Sequence, residues 1–147
     1  MKVTNLKLLA TSEKDLRVIA AHLQDSIILP KDVANLKKNK IFLIQLNRFM
    51  WEDVEKGVFR KNKRIRTMLK FDNVTSVLSK NINIKDDNQF LDFLTIESSL
   101  LPDKSYEIKL IFSGNAIIKI NSEVIDASME DQGEPWESKT KPKHIFS

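Results

Sequence analysis

Hydrophobic and polar positions follow two periods along the chain, and the change between them falls just before Ile27. Leu16, Ile19, Ala20 and Leu23 recur three and four residues apart, so they form one apolar stripe. Ser12 stands ahead of the stripe with acidic Asp15 three positions on. The pattern predicts an amphipathic helix from Ser12 to about Asp25. From Ile27 onward the alternation is close to two, which predicts antiparallel strands over most of the remaining chain.

An alternation that predicts a strand precedes the helix, and a broken strand follows it: Ile27 to Leu29, bent at Pro30, then Val33 to Leu36. Lys37 to Lys40 turns the chain into a strand from Ile41 to Trp51, and Glu52 to Lys63 forms a loop. Arg64 to Phe71 is the next strand. Asp72-Asn73 interrupts it before Val74 to Leu78 resumes. Asn81 to Asn88 reads as a polar loop, Phe90 to Ile96 as a strand and Leu101-Pro102-Asp103 as a turn. Tyr106 to Phe112 and Ala116 to Ile120 form a hairpin around Ser113-Gly114-Asn115, and a last strand covers about Val124 to Met129. The expected architecture is one α+β domain over residues 1–147. It is a six- to seven-stranded antiparallel meander, curved or partly closed into a barrel, with one N-terminal amphipathic helix. Residues 1–133 form the core and 134–147 an extended tail, because Trp136, Ile145 and Phe146 stand among few other apolar residues.

Composition narrows the chemistry. The chain has 147 residues, three glycines and no cysteine. Gly57, Gly114 and Gly133 lie too far apart for a phosphate-cradling loop, and without a thiol there is no cysteine nucleophile, redox pair or cysteine-rich zinc site. No cofactor is expected. No apolar run approaches the ~20 residues of a membrane span, and the lysine inside the first apolar stretch argues against a secretory signal. A cytoplasmic location and no membrane partner are therefore expected.

Net charge is +4, but its placement says more than its sum. Residues 37–70 hold eleven basic side chains against three acidic ones, whereas residues 121–137 hold six acidic side chains and no basic one. Such polarity can serve a contact within the chain, a head-to-tail contact between copies, or attraction of an anionic partner. The reading is a non-enzymatic binding or interaction module that self-associates, most simply as a dimer, or meets a protein partner. Nucleic acid or another polyanion is the second reading, and a small metal-dependent or His/Asp-based enzyme built on His22, Asp15 and Asp25 is the third.

Three constellations carry candidate chemistry. Asp15, His22 and Asp25 fall on one flank of the predicted helix, where two carboxylates beside an imidazole suit proton transfer or a divalent cation. His144, docked from the tail, would complete the group. The plainer reading is a solvated helix face, and no metal site is assigned. Asn47 to Glu52 places Phe49 and Trp51 on one strand face, suited to stacking a planar ligand, with Arg48, Met50 and Glu52 on the other; core packing is the plainer reading. Arg64, Arg66, Met68 and Lys70 form the outer face of the next strand. With Arg48, Arg60 and Lys63 they make a candidate anion-binding surface, against the plainer reading of a charged, solvated edge.

Several strings together resemble a known family: Leu6-Lys7-Leu8, Asp15-Leu16, Ala21-His22-Leu23-Gln24-Asp25, Asn47-Arg48-Phe49 with Trp51-Glu52, and Lys141-Pro142-Lys143-His144. Their order and spacing are similar to a small bacterial family known as domain of unknown function twenty-nine forty-eight. The resemblance spans nearly the whole chain and implies no activity. Lysine stands at 141 and 143 where the family pattern suggests arginine, which weakens any bidentate phosphate contact there.

Overall fold

The computed structural model describes residues 5–50, 63–83 and 89–137. Ser12 starts the helix as expected: its Oγ accepts from the Asp15 N–H at 3.1 Å. Helix α1 (Glu13–Leu23) buries Leu16, Ile19, Ala20 and Leu23, each of the larger three contributing roughly 1.5–3 kcal/mol. It ends two residues short of the expected boundary, because Asp25 takes a left-handed backbone, φ 63°. Among the described residues no helix is long and apolar enough to cross a membrane.

Ten strands accompany it: β1 (Lys7–Ala10), β2 (Ile27–Ile28), β3 (Val33–Leu36), β4 (Ile41–Phe49), β5 (Lys63–Phe71), β6 (Val74–Lys80), β7 (Leu91–Leu100), β8 (Tyr106–Phe112), β9 (Ile117–Ser122) and β10 (Ala127–Glu137). They form one open antiparallel sheet in the order β1-β10-β5-β4-β2-β7-β8-β9-β6, with β3 beside the first half of β4. The expectation of an α+β fold with mostly antiparallel strands holds; the six- to seven-stranded, partly closed barrel does not. Each interrupted segment counts as two strands because the interruption carries the chain to a new neighbour. Pro30 to Asp32 forms a single 3-10 turn between β2, which joins β4 to β7, and β3, which pairs β4 alone. Asn73, φ 58°, turns the chain out of β5, paired with β4 and β10, into β6, paired with β9.

The sheet folds over one hydrophobic core. Phe42, Ile44 and Leu46 of β4 and Leu69 and Phe71 of β5 face Ile108, Leu110 and Phe112 of β8 and Ile118 and Ile120 of β9, and α1 packs against β7, β1 and β4. Gly114 and Asn115 both have positive φ, 69° and 58°, which the tight turn between β8 and β9 requires. The last strand differs most from expectation. It starts at Ala127 and runs to Glu137, bending after Gln132 where Gly133 has φ 74°. Residues 134–137, assigned to the tail by sequence, are therefore in the sheet, while 138–147 lie outside the described residues.

Strand β10 brings the acidic segment against the basic one. Asp131 lies opposite Thr67 of β5, and its carboxylate accepts from Arg48 Nε at 3.0 Å, Arg48 Nη2 at 2.7 Å and Thr67 Oγ1 at 2.7 Å. The Leu6 N–H donates to the same carboxylate at 3.2 Å, and the Asp131 N–H donates to the Leu6 carbonyl at 2.9 Å. Both charged side chains are inside, 0% and 2% exposed. The alternation put Arg48 on a polar strand face with Met50 and Glu52; its side chain points the same way as Phe42, Ile44 and Leu46, into the core, and meets its counter-charge there. At the other end of the acidic segment Lys40 meets Glu123 at 2.8 Å. Two contacts between the basic and acidic segments therefore form within the chain, Arg48 with Asp131 and Lys40 with Glu123.

Removing one member of this pair leaves the other charge buried alone. Asp131→Ala is expected to lower unfolding free energy by about 3–5 kcal/mol, measured by urea denaturation. Arg48→Met combined with Asp131→Leu should recover most of that loss. An Asp131→Ala protein with a wild-type midpoint would show the pair to be dispensable.

Candidate functional site

Each described member of the first constellation has a partner of its own. Asp15 points back at the helix start, where its carboxylate accepts from the Thr11 N–H at 3.0 Å. That bond holds its pKa below the ordinary 3.8. The His22 ring bonds through Nδ1 to the Val18 carbonyl at 3.0 Å, one turn back along the same helix. Asp25 lies beyond the helix, its N–H donating to the Phe93 carbonyl at 2.8 Å, so it does not share the flank of His22. His144 lies outside the described residues, and among those described no three His, Asp or Glu side chains are grouped to hold a metal ion.

The basic strand is committed internally. Arg64 is buried, and its Nη1 donates to the carbonyls of Asp25, 3.2 Å, and Asn47, 3.0 Å, pinning the turn after α1 to β4. Burial pushes its guanidinium below the usual arginine range, while the Asp92 and Asp25 carboxylates pull the other way. Beneath it lies the ring of Phe49, 5.7 Å from the guanidinium carbon and fully buried, so this aromatic face is already occupied by a cation. Arg66 reaches Asp32 at 3.0 Å, Asn47 Oδ1 at 3.0 Å and Gln45 Oε1 at 2.8 Å, and Lys70 reaches Asp72 at 3.6 Å. Lys63 is half-buried opposite Glu137. Arg60 and Trp51 lie outside the described residues.

Uncommitted groups gather elsewhere, along β6. This strand ends the sheet, and among the described residues no strand pairs with its outer edge. Val74 gives its N–H to the Lys40 carbonyl at 2.9 Å, but from Thr75 to Lys80 no backbone bond leads away from β9 among the described residues. Which residues face outward follows from the hairpin. The bond from the Phe112 N–H to the Ala116 carbonyl turns the even residues of β9 toward β8, hence the odd ones toward β6. Leu78 and Lys80, opposite Lys119 and Ile117, therefore bond to β9, while Val77 and Ser79 hold their N–H and C=O groups outward.

Other strand ends are blunted in the usual ways. β1 has four residues with α1 packed against it, and β3 has four residues running into Lys37 and Lys38. β6 has seven residues and one charge, Lys80.

Two depressions flank this edge. One, of about 240 Å³, lies between β3 and β6 and is lined by Asn35, Lys37 and residues Val74 to Val77. The other, of about 510 Å³, lies on the outer face of β6, β9 and β8 beside Leu78, Lys80, Lys109, Ile117 and Lys119, with Glu107 at its side. Lys109 sits directly opposite Lys119, a like-charge cross-strand pair, and is relieved by Glu107 at 3.7 Å and by Glu97 across the other strand. Lys37, Lys80 and Lys119 have no carboxylate at ion-pair distance among the described residues. Leu78 is 60% exposed between them.

Lys37 belongs to the basic segment 37–70, whereas Lys80, Lys109 and Lys119 lie outside any dense run of charge. The usable signal was register: a hairpin closed between Phe112 and Ala116 sets Lys109 against Lys119.

Arg64→Lys keeps the charge but loses the planar fork, which one ammonium cannot replace between two carbonyls and a ring face. The expected loss is about 1–3 kcal/mol in unfolding free energy. A change within about 0.5 kcal/mol, the range of neutral surface substitutions, would show that the fork is not needed.

No curated protein and no solved structure matches the chain. The family model described as a protein of unknown function, DUF2948, matches residues 6–144, and the chain belongs to that family.

Proposed function

We propose that the chain is an interaction module that captures an extended segment of a partner protein as an added strand along β6. One observation carries the reading: a seven-residue terminal strand, uncharged up to Lys80, whose outer backbone groups have no partner among the described residues beyond Val74. Val77 and Ser79 each offer an N–H and a C=O, so an added strand forms four backbone bonds there, each worth roughly 0.5–1.5 kcal/mol. The ordering of the incoming segment offsets part of that gain, which suits a reversible contact.

The polyanion reading loses support on geometry, since Arg48, Arg64, Arg66 and Lys70 already have acceptors within the chain. Self-association is an alternative occupancy of the same edge. Two copies paired antiparallel about Val77 would set Lys80 of one against Val74 of the other, beside Lys37, and like charges there disfavour the dimer.

A capped octapeptide alternating valine and serine, titrated into 15N-labelled protein, should shift the Val77 and Ser79 amides most. Ser79→Pro removes one outward N–H without touching the β6–β9 ladder, so it should abolish the shifts while leaving the urea midpoint unchanged. Shifts centred elsewhere, or surviving Ser79→Pro, would overturn strand addition. Sedimentation of the unliganded protein separates the alternatives: a dimer dissolved by Ser79→Pro would make a second copy the occupant.

A further inference from the structure

Strand addition by itself is indifferent to side chains, so specificity must come from what flanks the edge. β6 is bordered by lysines at both ends and on its outer face: Lys37 in the groove beside Val74, Lys80 at the far end, and Lys119 across from Leu78 on β9. None of the three has an ion pair among the described residues, whereas on β5 Arg66 pairs with Asp32, Lys70 pairs with Asp72, and Arg64 is held by two carbonyls. The Lys109–Lys119 opposition is half relieved, because both carboxylates near it, Glu97 and Glu107, lie on the Lys109 side. An anion placed over Leu78 would complete it.

Resting on the strand-addition reading, we propose that the partner segment is acidic, and that a carboxylate on its outward face sits in the depression between Lys80 and Lys119. Geometry permits this. An added strand lies ~4.8 Å beyond β6, and its alternate side chains stand on the same face as Leu78 and Lys80. From there a glutamate extends toward Lys80 directly and toward Lys119 over Leu78, whose exposed side chain meets the glutamate methylenes. Lys37, at the opposite end of the edge, favours a second acidic residue some turns of the pleat away. The partner chemistry is therefore an extended, β-prone segment with acidic residues at alternate positions.

Three capped octapeptides test this, alternating valine with glutamate, serine or lysine, each titrated into wild-type protein and into Lys80→Ser/Lys119→Ser. Lys80 is exposed and Lys119 half-buried on the outer face, so the urea midpoint of the double variant checks that it still folds. At low ionic strength the glutamate peptide should bind about fivefold tighter than the serine peptide, as two exposed ion pairs allow, and the lysine peptide more weakly than either. The double substitution should remove most of the glutamate preference, leaving only what Lys37 contributes, and ~1 M salt, where the Debye length is ~3 Å, should remove all of it. Equal binding of glutamate and serine peptides, still sensitive to Ser79→Pro, would overturn the acidic partner and leave strand addition standing. A glutamate preference unchanged by the double substitution would overturn the Lys80–Lys119 site. No binding by any peptide would overturn both readings.

Discussion

A charge buried in a sheet must find its counter-charge at one register and no other, and the Arg48–Asp131 pair imposes that condition on four strands at once. Arg48 comes from β4, Thr67 from β5, Asp131 from β10, and the Leu6 N–H from the residue just before β1. Slipping β10 by one residue would turn Asp131 to the outer face and leave Arg48 alone in the core, a loss of several kcal/mol. The pair adds little net stability over an apolar substitute of similar volume, but it excludes alternatives. Its position fixes which side chains of β5 and β10 face outward.

Once that register is set, the outer face of β5 follows, and so does the commitment of its cations. Arg64 ties β5 to the turn after α1, and Arg66 ties it to Asp32 between β2 and β3. Both contacts hold irregular backbone against regular strands, which helps the sheet stay one piece where β2 is only two residues long. Arginine suits this work because one planar group serves several oxygens together. Lysines at the other end of the sheet have no such duty, and they are the ones left facing solvent around β6.

The open sheet is itself a consequence of local geometry. Asn73 sends the chain from β5 into β6, and β6 joins β9 rather than pairing with β3, meeting that side of the fold near its start, where the Val74 N–H bonds to the Lys40 carbonyl. A gap between β3 and β6 results, and with it an edge that no strand pairs among the described residues. Proteins usually protect such edges with charge, bulges or shortness; β6 has a bulge near Thr75 and a terminal lysine, and little else.

The helix was legible apart from its C-terminal boundary, because Ser12 and the stripe from Leu16 to Leu23 are local signals that tertiary packing only reinforces. Most strands were legible for the same reason, including the break at Pro30 and the turn at Gly114. The last strand was not, since from Met129 to Glu137 polar residues sit on both faces and only pairing with β5 explains Asp131 in the interior. The opposite charges of residues 37–70 and 121–137 were plain in the sequence, but whether they met within a chain or between chains depended on strand order. The basic face of β5 likewise looked free, since alternation says which way a side chain points and nothing of the acceptor across from it. The edge of β6 lies wholly on the tertiary side of that line: a strand is terminal only by virtue of where all the others go, and periodicity carries no record of neighbours.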